Sequence, residues 1–344
     1  MKARPLAILK TGLMTAVGSD APSCGAAFRS KLTNPTPTRF MDSTGTWIMA
    51  HQVELADEKL GLSKLARMAA TVIDEVLSEV PKGEWADMAL LLCVAEPERP
   101  GRLDGLDDRL FKQIQALLDT RFAAQSAIVA QGRVGVAVAL TQARALIQTG
   151  AVRRVVIVGV DSLLSWQTLM HYDRVDRLLR EDNSNGFMPG EGAGALLVGD
   201  PSGKHELLCT GIGFGCEAAY IDSEEPLRAE GLATAIRSAL TEAGRTMHDF
   251  DYRITDLSGE QYYFKEATLA LSRTLHQPKE EFDIWHPAEC TGEAGALAGA
   301  AVIGLADAAC RKGFTKGHNI VAHMSNDSGQ RAAVLLQFRG RHGQ

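Results

Sequence analysis

Strand-like runs alternate with helical ones along this chain, and two of the helices lack a polar face. Together these features predict an α/β protein of two similar halves, with the apolar helices packed between two sheets. Apolar segments of strand length alternate with longer stretches of helical periodicity, the pattern of sheets covered on their faces. Gly135–Ile147 and Gly295–Ala309 are apolar nearly all round, one in each half. A helix of that kind must be buried on every side. Both are rich in Ala and Gly, which lets two backbones approach closely.

In chain order, Leu6–Leu9 reads as the opening strand and Leu62–Val80 as a helix. Met88–Val94 and Ala127–Ala130 are apolar runs of strand length. Val134–Thr149 is the first apolar helix, and Val155–Val160 returns to a valine-rich strand. Ala195–Val198 and Leu207–Gly213 are strands flanking the least apolar stretch, Asp200–Lys204. The halves divide there, into residues 1–202 and 203–344. In the second half, Glu230–Ala243 and Phe264–Leu275 have helical periodicity. Tyr252–Thr255, Ile320–Met324 and Ala332–Phe338 read as strands.

The 344 residues suffice for two fused domains of ordinary size. A formal charge of -6 and the lack of any basic run leave no electrostatic footprint for nucleic acid. Six cysteines (Cys24, Cys93, Cys209, Cys216, Cys290, Cys310) show no CxxC spacing, which argues against zinc and against a disulfide framework. Most lie in apolar stretches and read as reduced thiols of a cytoplasmic protein. No apolar run approaches the ~20 residues of a membrane span, and Met1–Pro5 lacks the features of a signal peptide. No metal or cofactor is expected.

The most specific motif is Asn185-Gly186-Phe187-Met188-Pro189-Gly190-Glu191-Gly192-Ala193-Gly194, which feeds an apolar strand. It resembles the segment that β-ketoacyl synthases of the thiolase superfamily carry soon after their nucleophile. Leu6–Gly18 is similar to the opening strand and turn of that family, and Ala145–Gly159 to its helix-to-strand passage. Thr291–Ala301 resembles the Thr-Gly-His motif and its Gly/Ala helix, and Ser325–Leu335 loosely matches the Gly-rich penultimate turn. The chain is shorter than typical members, chiefly between Asp161 and Asn185. The resemblance implies a thiolase-like five-layered α-β-α-β-α sandwich, and a homodimer paired through the strand Ser126–Ala130.

An active member of that family needs a thiolate at a helix N-terminus, where the dipole and free N–H groups lower its pKa. Two basic side chains face it. Counting back from Gly150 without gaps places the nucleophile position on Arg133, and a two-residue gap places it on Gln131. No Cys, Ser or Thr lies between Ser126 and Thr141. The two histidine positions correspond to Asp256 and Glu293, and the lysine position to Ala288. Four changed positions imply a degenerate site. A buried arginine at a helix start is opposed by the dipole and by desolvation, so Arg133 is expected to pair with Asp256, Glu293 or both. Asp327 stands where the family presents a backbone N–H to the acyl oxyanion. Asp327, Ser328 and Gly329 are the candidate binding residues of a remaining pocket.

Elsewhere, Cys93 and Cys216 read as buried structural cysteines and His323 as a satisfied core histidine. Cys290, beside Glu289 and near His286, is the best surviving thiol. Glu96–Gly101 with Arg102–Asp108, and Glu217–Leu227, read as solvated charged loops, and Arg339–Gln344 as a mobile tail. Three classes of function remain. One is a non-condensing thiolase-fold protein that binds a partner as scaffold, adaptor or accessory subunit, an accessory protein of a secreted bacterial effector being one variant. Another is a non-condensing partner subunit of an active ketoacyl synthase, similar to a chain-length factor. The last is an acyltransferase or thioester hydrolase using Asp256 or Glu293 as general base, with an acyl-thioester or acyl carrier as ligand.

Overall fold

The computed structural model describes residues 4–56, 60–203 and 205–340. Residues 1–3 and 341–344, which include most of the expected tail, lie outside the described residues. The first half runs β1 (Leu6–Met14), α1 (Ala21–Ser30), β2 (Thr36–Met41), β3 (Trp47–Ala50), α2 (Gly61–Leu77), β4 (Ala89–Val94), α3 (Arg109–Leu118) and β5 (Ala127–Ala130). It continues through α4 (Gly135–Gln148), β6 (Arg154–Ser162), α5 (Trp166–Arg174) and β7 (Glu191–Gly199). The second half runs β8 (Glu206–Cys216), α6 (Glu230–Ala243), β9 (Tyr252–Thr255), α7 (Gln261–Thr274) and β10 (Ile284–Trp285). It ends with α8 (Ala288–Thr291), α9 (Ala298–Lys312), β11 (Asn319–Ser325) and β12 (Gln330–Arg339).

Hydrogen bonds link the strands in the order β10-β9-β11-β12-β8-β1-β7-β6-β4-β5. Its two halves repeat one another. In each, a first strand pairs antiparallel with the last, which pairs antiparallel with a third strand that begins the parallel part. The halves join where Leu6–Ile8 pair with Leu207–Cys209, so two five-stranded sheets share one hydrogen-bonded run. Residues of α4 and α9 occupy the core between the halves, with Leu6 and Ile8 of β1 and Val334 of β12. Helices α2 and α3 cover the outer face of the first half, and α6 that of the second. The result is the five-layered α/β arrangement.

The strands of the middle of the sheet, β4 and β7, are buried along their whole length, as both covered faces demand. Sequence periodicity locates the long helices to within three residues at each end. It misses α1, α3, α5 and the β2–β3 hairpin. α3 buries only Leu110, Ile114 and Leu118, a strongly amphipathic stripe that the charged run Arg102–Asp108 before it obscures. α1 is rich in small residues, and its signal is the capping box of Asp20 with Ser23.

Close packing of α9 against the sheet depends on glycine. A Cβ on Gly159 of β6 would overlap the Ala296 carbonyl, and one on Gly194 of β7 would lie 2.7 Å from the Ala300 methyl. Gly83, by contrast, has open space around it. Gly159→Ala should therefore lose about 1–3 kcal/mol in chemical denaturation, while Gly83→Ala should change stability by no more than about 0.5 kcal/mol. Equal effects at the two positions would mean that this packing is not constrained.

Candidate functional site

Both apolar helices begin at one place, through matched devices. Gly132 and Gly295 each adopt positive φ, at +50° and +52°, and each opens a 3-10 turn leading into α4 or α9. Only glycine adopts this backbone without strain. A Cβ on Gly132 would collide with the Glu96 carboxylate, and one on Gly295 with that of Asp161. The carboxyl ends of β4, β6, β9 and β11 converge on the same point, where open α/β sheets place their sites.

Arg133 lies in the turn before α4 with 7% of its surface exposed. Its Nη1 donates to Glu293 Oε2 at 3.1 Å. Nη2 donates to the Tyr263 hydroxyl at 2.8 Å and to Asp327 Oδ1 at 2.5 Å. Asp256 is 3.9 Å from Nε, near enough for Coulomb attraction and too far for a hydrogen bond. The guanidinium also sits 4.7 Å from the centroid of the Tyr263 ring. A positive charge beside a helix N-terminus is unfavourable by the dipole, and here two hydrogen-bonded carboxylates offset it.

Each carboxylate is held in turn. Glu293 accepts from the Ser258 hydroxyl at 3.0 Å and from the Gly295 N–H at 3.0 Å, at the start of the second apolar helix. Asp327 is gripped by both Nη atoms of Arg177, at 2.8 and 3.1 Å, and by the Tyr263 hydroxyl at 2.5 Å. Its carboxyl is depressed below the ordinary range because Arg133, Arg177 and the Tyr263 hydroxyl outweigh burial. Arg177 meanwhile makes a second bidentate pair, with Glu260, at 2.7 and 2.9 Å. Burial pushes the Asp256 carboxyl up to about 7, against the pull of Arg133 and of the Ser325 N–H that it accepts at 2.8 Å.

The structure thus brings Arg133, Asp256, Glu293 and Asp327 together. Ala288, Asp256 and Glu293 line a neighbouring void of only about 10 Å³. Ser328 is exposed, and Gly329 adopts φ +92° in the turn beyond Asp327. The side chain of Asp327 points into the cluster, and the open space left there is about 20 Å³, enough for a single water.

Four sequence expectations need correction. Glu96 and Arg99 are not solvated: Arg99 is buried and pairs with Asp161 at 2.7 Å, and Glu96 turns toward Gly132. Burial raises the Glu96 carboxyl despite Arg99. Glu217 is also buried, because its carboxylate caps α6 by accepting the Gly231 N–H at 2.9 Å. Cys216 is exposed. Gly211, Gly213 and Gly215 pack on α6, which puts Cys216 on the opposite face at the strand's end. His323 is buried, but its Nδ1 has no hydrogen-bond partner among the described residues, and burial lowers its pKa to about 3, leaving the ring neutral.

Tyr172, Arg177, Glu260 and Tyr263 join the cluster without a sequence signal. Arg177 falls in the shortened Asp161–Asn185 stretch, and Tyr263 on the inward face of α7; neither carries a local motif. Cys290 is buried, with its thiol pushed up to about 11, which removes it as a ready nucleophile. No cluster of metal-ligating residues is present among the described residues. No helix among them is long and apolar enough to cross a membrane.

No family model matches the chain. A β-ketoacyl-[acyl-carrier-protein] synthase III from Porphyra umbilicalis is 28% identical over 177 residues, 50% of this chain and 48% of the relative. The match thus spans about half the length of that relative. Among solved structures, the ishigamide ketosynthase/chain length factor superposes with a TM-score of 0.81 at 16% identity, over 98% of this chain and 100% of that one. The fold is thiolase-like, of the ketosynthase type. A β-ketoacyl synthase from Burkholderia phymatum STM815 gives 0.76 at 14% identity, covering 98% and 100%. The ketosynthase ApeO in complex with its chain length factor ApeC, from Xenorhabdus doucetiae, gives 0.73 at 13% identity, covering 98% of each chain.

The raised Asp256 makes stability depend on pH. Between the unfolded value of ~4 and about 7, the unfolded chain releases this proton and the native chain keeps it. Stability then falls as pH rises across that window and levels off above it. Asp256→Asn removes this dependence, so the variant should gain on the wild type from low to neutral pH in denaturant titrations. Parallel profiles for the two proteins would contradict the assignment.

Proposed function

We propose that this chain is a ketosynthase-like protein without condensing activity, which acts by binding a partner protein as scaffold, adaptor or accessory subunit. The observation that carries this is Arg133, tied to Glu293, Asp327 and Tyr263 at the start of α4. The resemblance puts the nucleophile there. The conclusion does not depend on register, because Gln131, Gly132 and Arg133 all lack a nucleophilic side chain. The cluster leaves room for a water and none for an acyl chain.

A second assignment, as the non-condensing subunit beside an active synthase, is favoured by neighbours described as ketosynthase/chain length factor assemblies. It shares the same inert site and differs in the partner. β5 supports pairing with another chain of the same fold: it is an edge strand of the sheet, and its outer side is unpaired among the described residues. An apolar edge of that kind needs cover. A hydrolytic role for Asp256 gains from a carboxyl near 7, a value suited to a general base. It loses more from the closed surroundings of that carboxyl.

Intact-mass measurement after incubation with acetyl-CoA and malonyl-CoA should find no acyl adduct. Light scattering at micromolar concentration should give a dimer for the protein alone, or a heterodimer once the partner is added. An adduct, or thioester turnover abolished by Asp256→Asn or Glu293→Gln, would overturn the non-enzymatic assignment. A monomer that forms no complex with any ketosynthase would overturn pairing through β5.

A further inference from the structure

A cavity of about 270 Å³ opens elsewhere, between α1, the turn from β10 into α8, and the end of α9. Its volume is near the lower bound of small-molecule sites. Part of its wall is apolar. Phe28 and Leu305 are buried, and Trp285 and Phe314 stack with ring planes 20° apart and centroids at 6.3 Å. These two rings form one rigid stacked wall of the cavity, which costs little entropy to pack against.

The rim is charged, and its charges are unequally committed. Glu289 is held by Lys31 at 3.3 Å, and His286 Nδ1 lies 2.8 Å from it without hydrogen-bond geometry. Arg29, the last basic residue of α1, is exposed and makes no ion pair or hydrogen bond among the described residues. Its guanidinium lies 5.5 Å from the centroid of the Phe314 ring, over the mouth of the cavity. A lone guanidinium above an aromatic wall is complementary to an anion with an apolar body. Cys290 lines the wall with its thiol pushed up to about 11, so binding here involves no covalent step.

We propose that this cavity is a binding site for a small amphipathic monocarboxylate of medium chain length. The aliphatic body lies against Trp285, Phe314 and Phe28, and the carboxylate bonds to Arg29. This site is distinct from the Arg133 cluster and does not depend on the function proposed for it.

Calorimetric titration with octanoate and with octan-1-ol, which has the same body and no charge, tests the proposal. Octanoate should bind saturably and more tightly than the alcohol. Arg29→Glu, on the exposed side of α1, should weaken octanoate roughly tenfold, the loss of one charge-assisted hydrogen bond, and leave the alcohol unchanged. Leu305→Phe, which fills the cavity, should weaken both. Absence of saturable octanoate binding at millimolar concentration would overturn the proposal. So would octanoate affinity that Arg29→Glu does not alter, a result that stands even if Leu305→Phe fails to fold.

Discussion

A single buried guanidinium sets the terms for the centre of this molecule. Arg133 sits where the positive end of the α4 dipole and the low dielectric both oppose a cation. It is tolerated because Glu293 and Asp327 approach from two different segments of the second half of the chain. Asp327 in turn requires Arg177, and Arg177 requires Glu260. The chain of dependence runs through the α4 turn, the α5–β7 connection, the start of α7 and the β11–β12 turn. Removing one member leaves an unpaired charge, which is why the cluster behaves as a unit.

That unit occupies the point where both apolar helices begin. Two helix N-termini meet there. At that of α9, Glu293 and Asp161 accept the Gly295 and Ala296 N–H groups. N–H groups that could serve a developing oxyanion are thus committed to fixed carboxylates. The demands of the scaffold are separate from those of the cluster. Gly159, Gly190 and Gly194 are needed for backbone clearance against the second half, whatever residue stands at position 133.

The architecture is legible in the sequence because its signals are long and repeated. Two helices without a polar face require a central layer, and the Gly186–Gly194 run marks the strand that faces it. The ion cluster is legible in part. Arg133, Asp256 and Glu293 stand out as a charge set because a buried arginine must find partners. Asp327 stands out as a candidate binding residue but plays another role there, since its side chain anchors two arginines. Arg177 and Tyr263 leave no trace in the sequence, since only the fold brings residues 130 positions apart within 2.8 Å. Glu96 and Arg99 escape sequence reasoning for a related cause. A Pro-rich charged turn looks solvated until the strand before it is seen to end at the site.

Chemical denaturation of Arg133→Ala tests most directly whether this cation is a structural element that has taken the place of a nucleophile. The expected result is a loss of about 3–5 kcal/mol, the cost of leaving buried carboxylates without their partner, with no acyl-thioester reactivity gained. An alanine variant as stable as the wild type would contradict a structural role for Arg133.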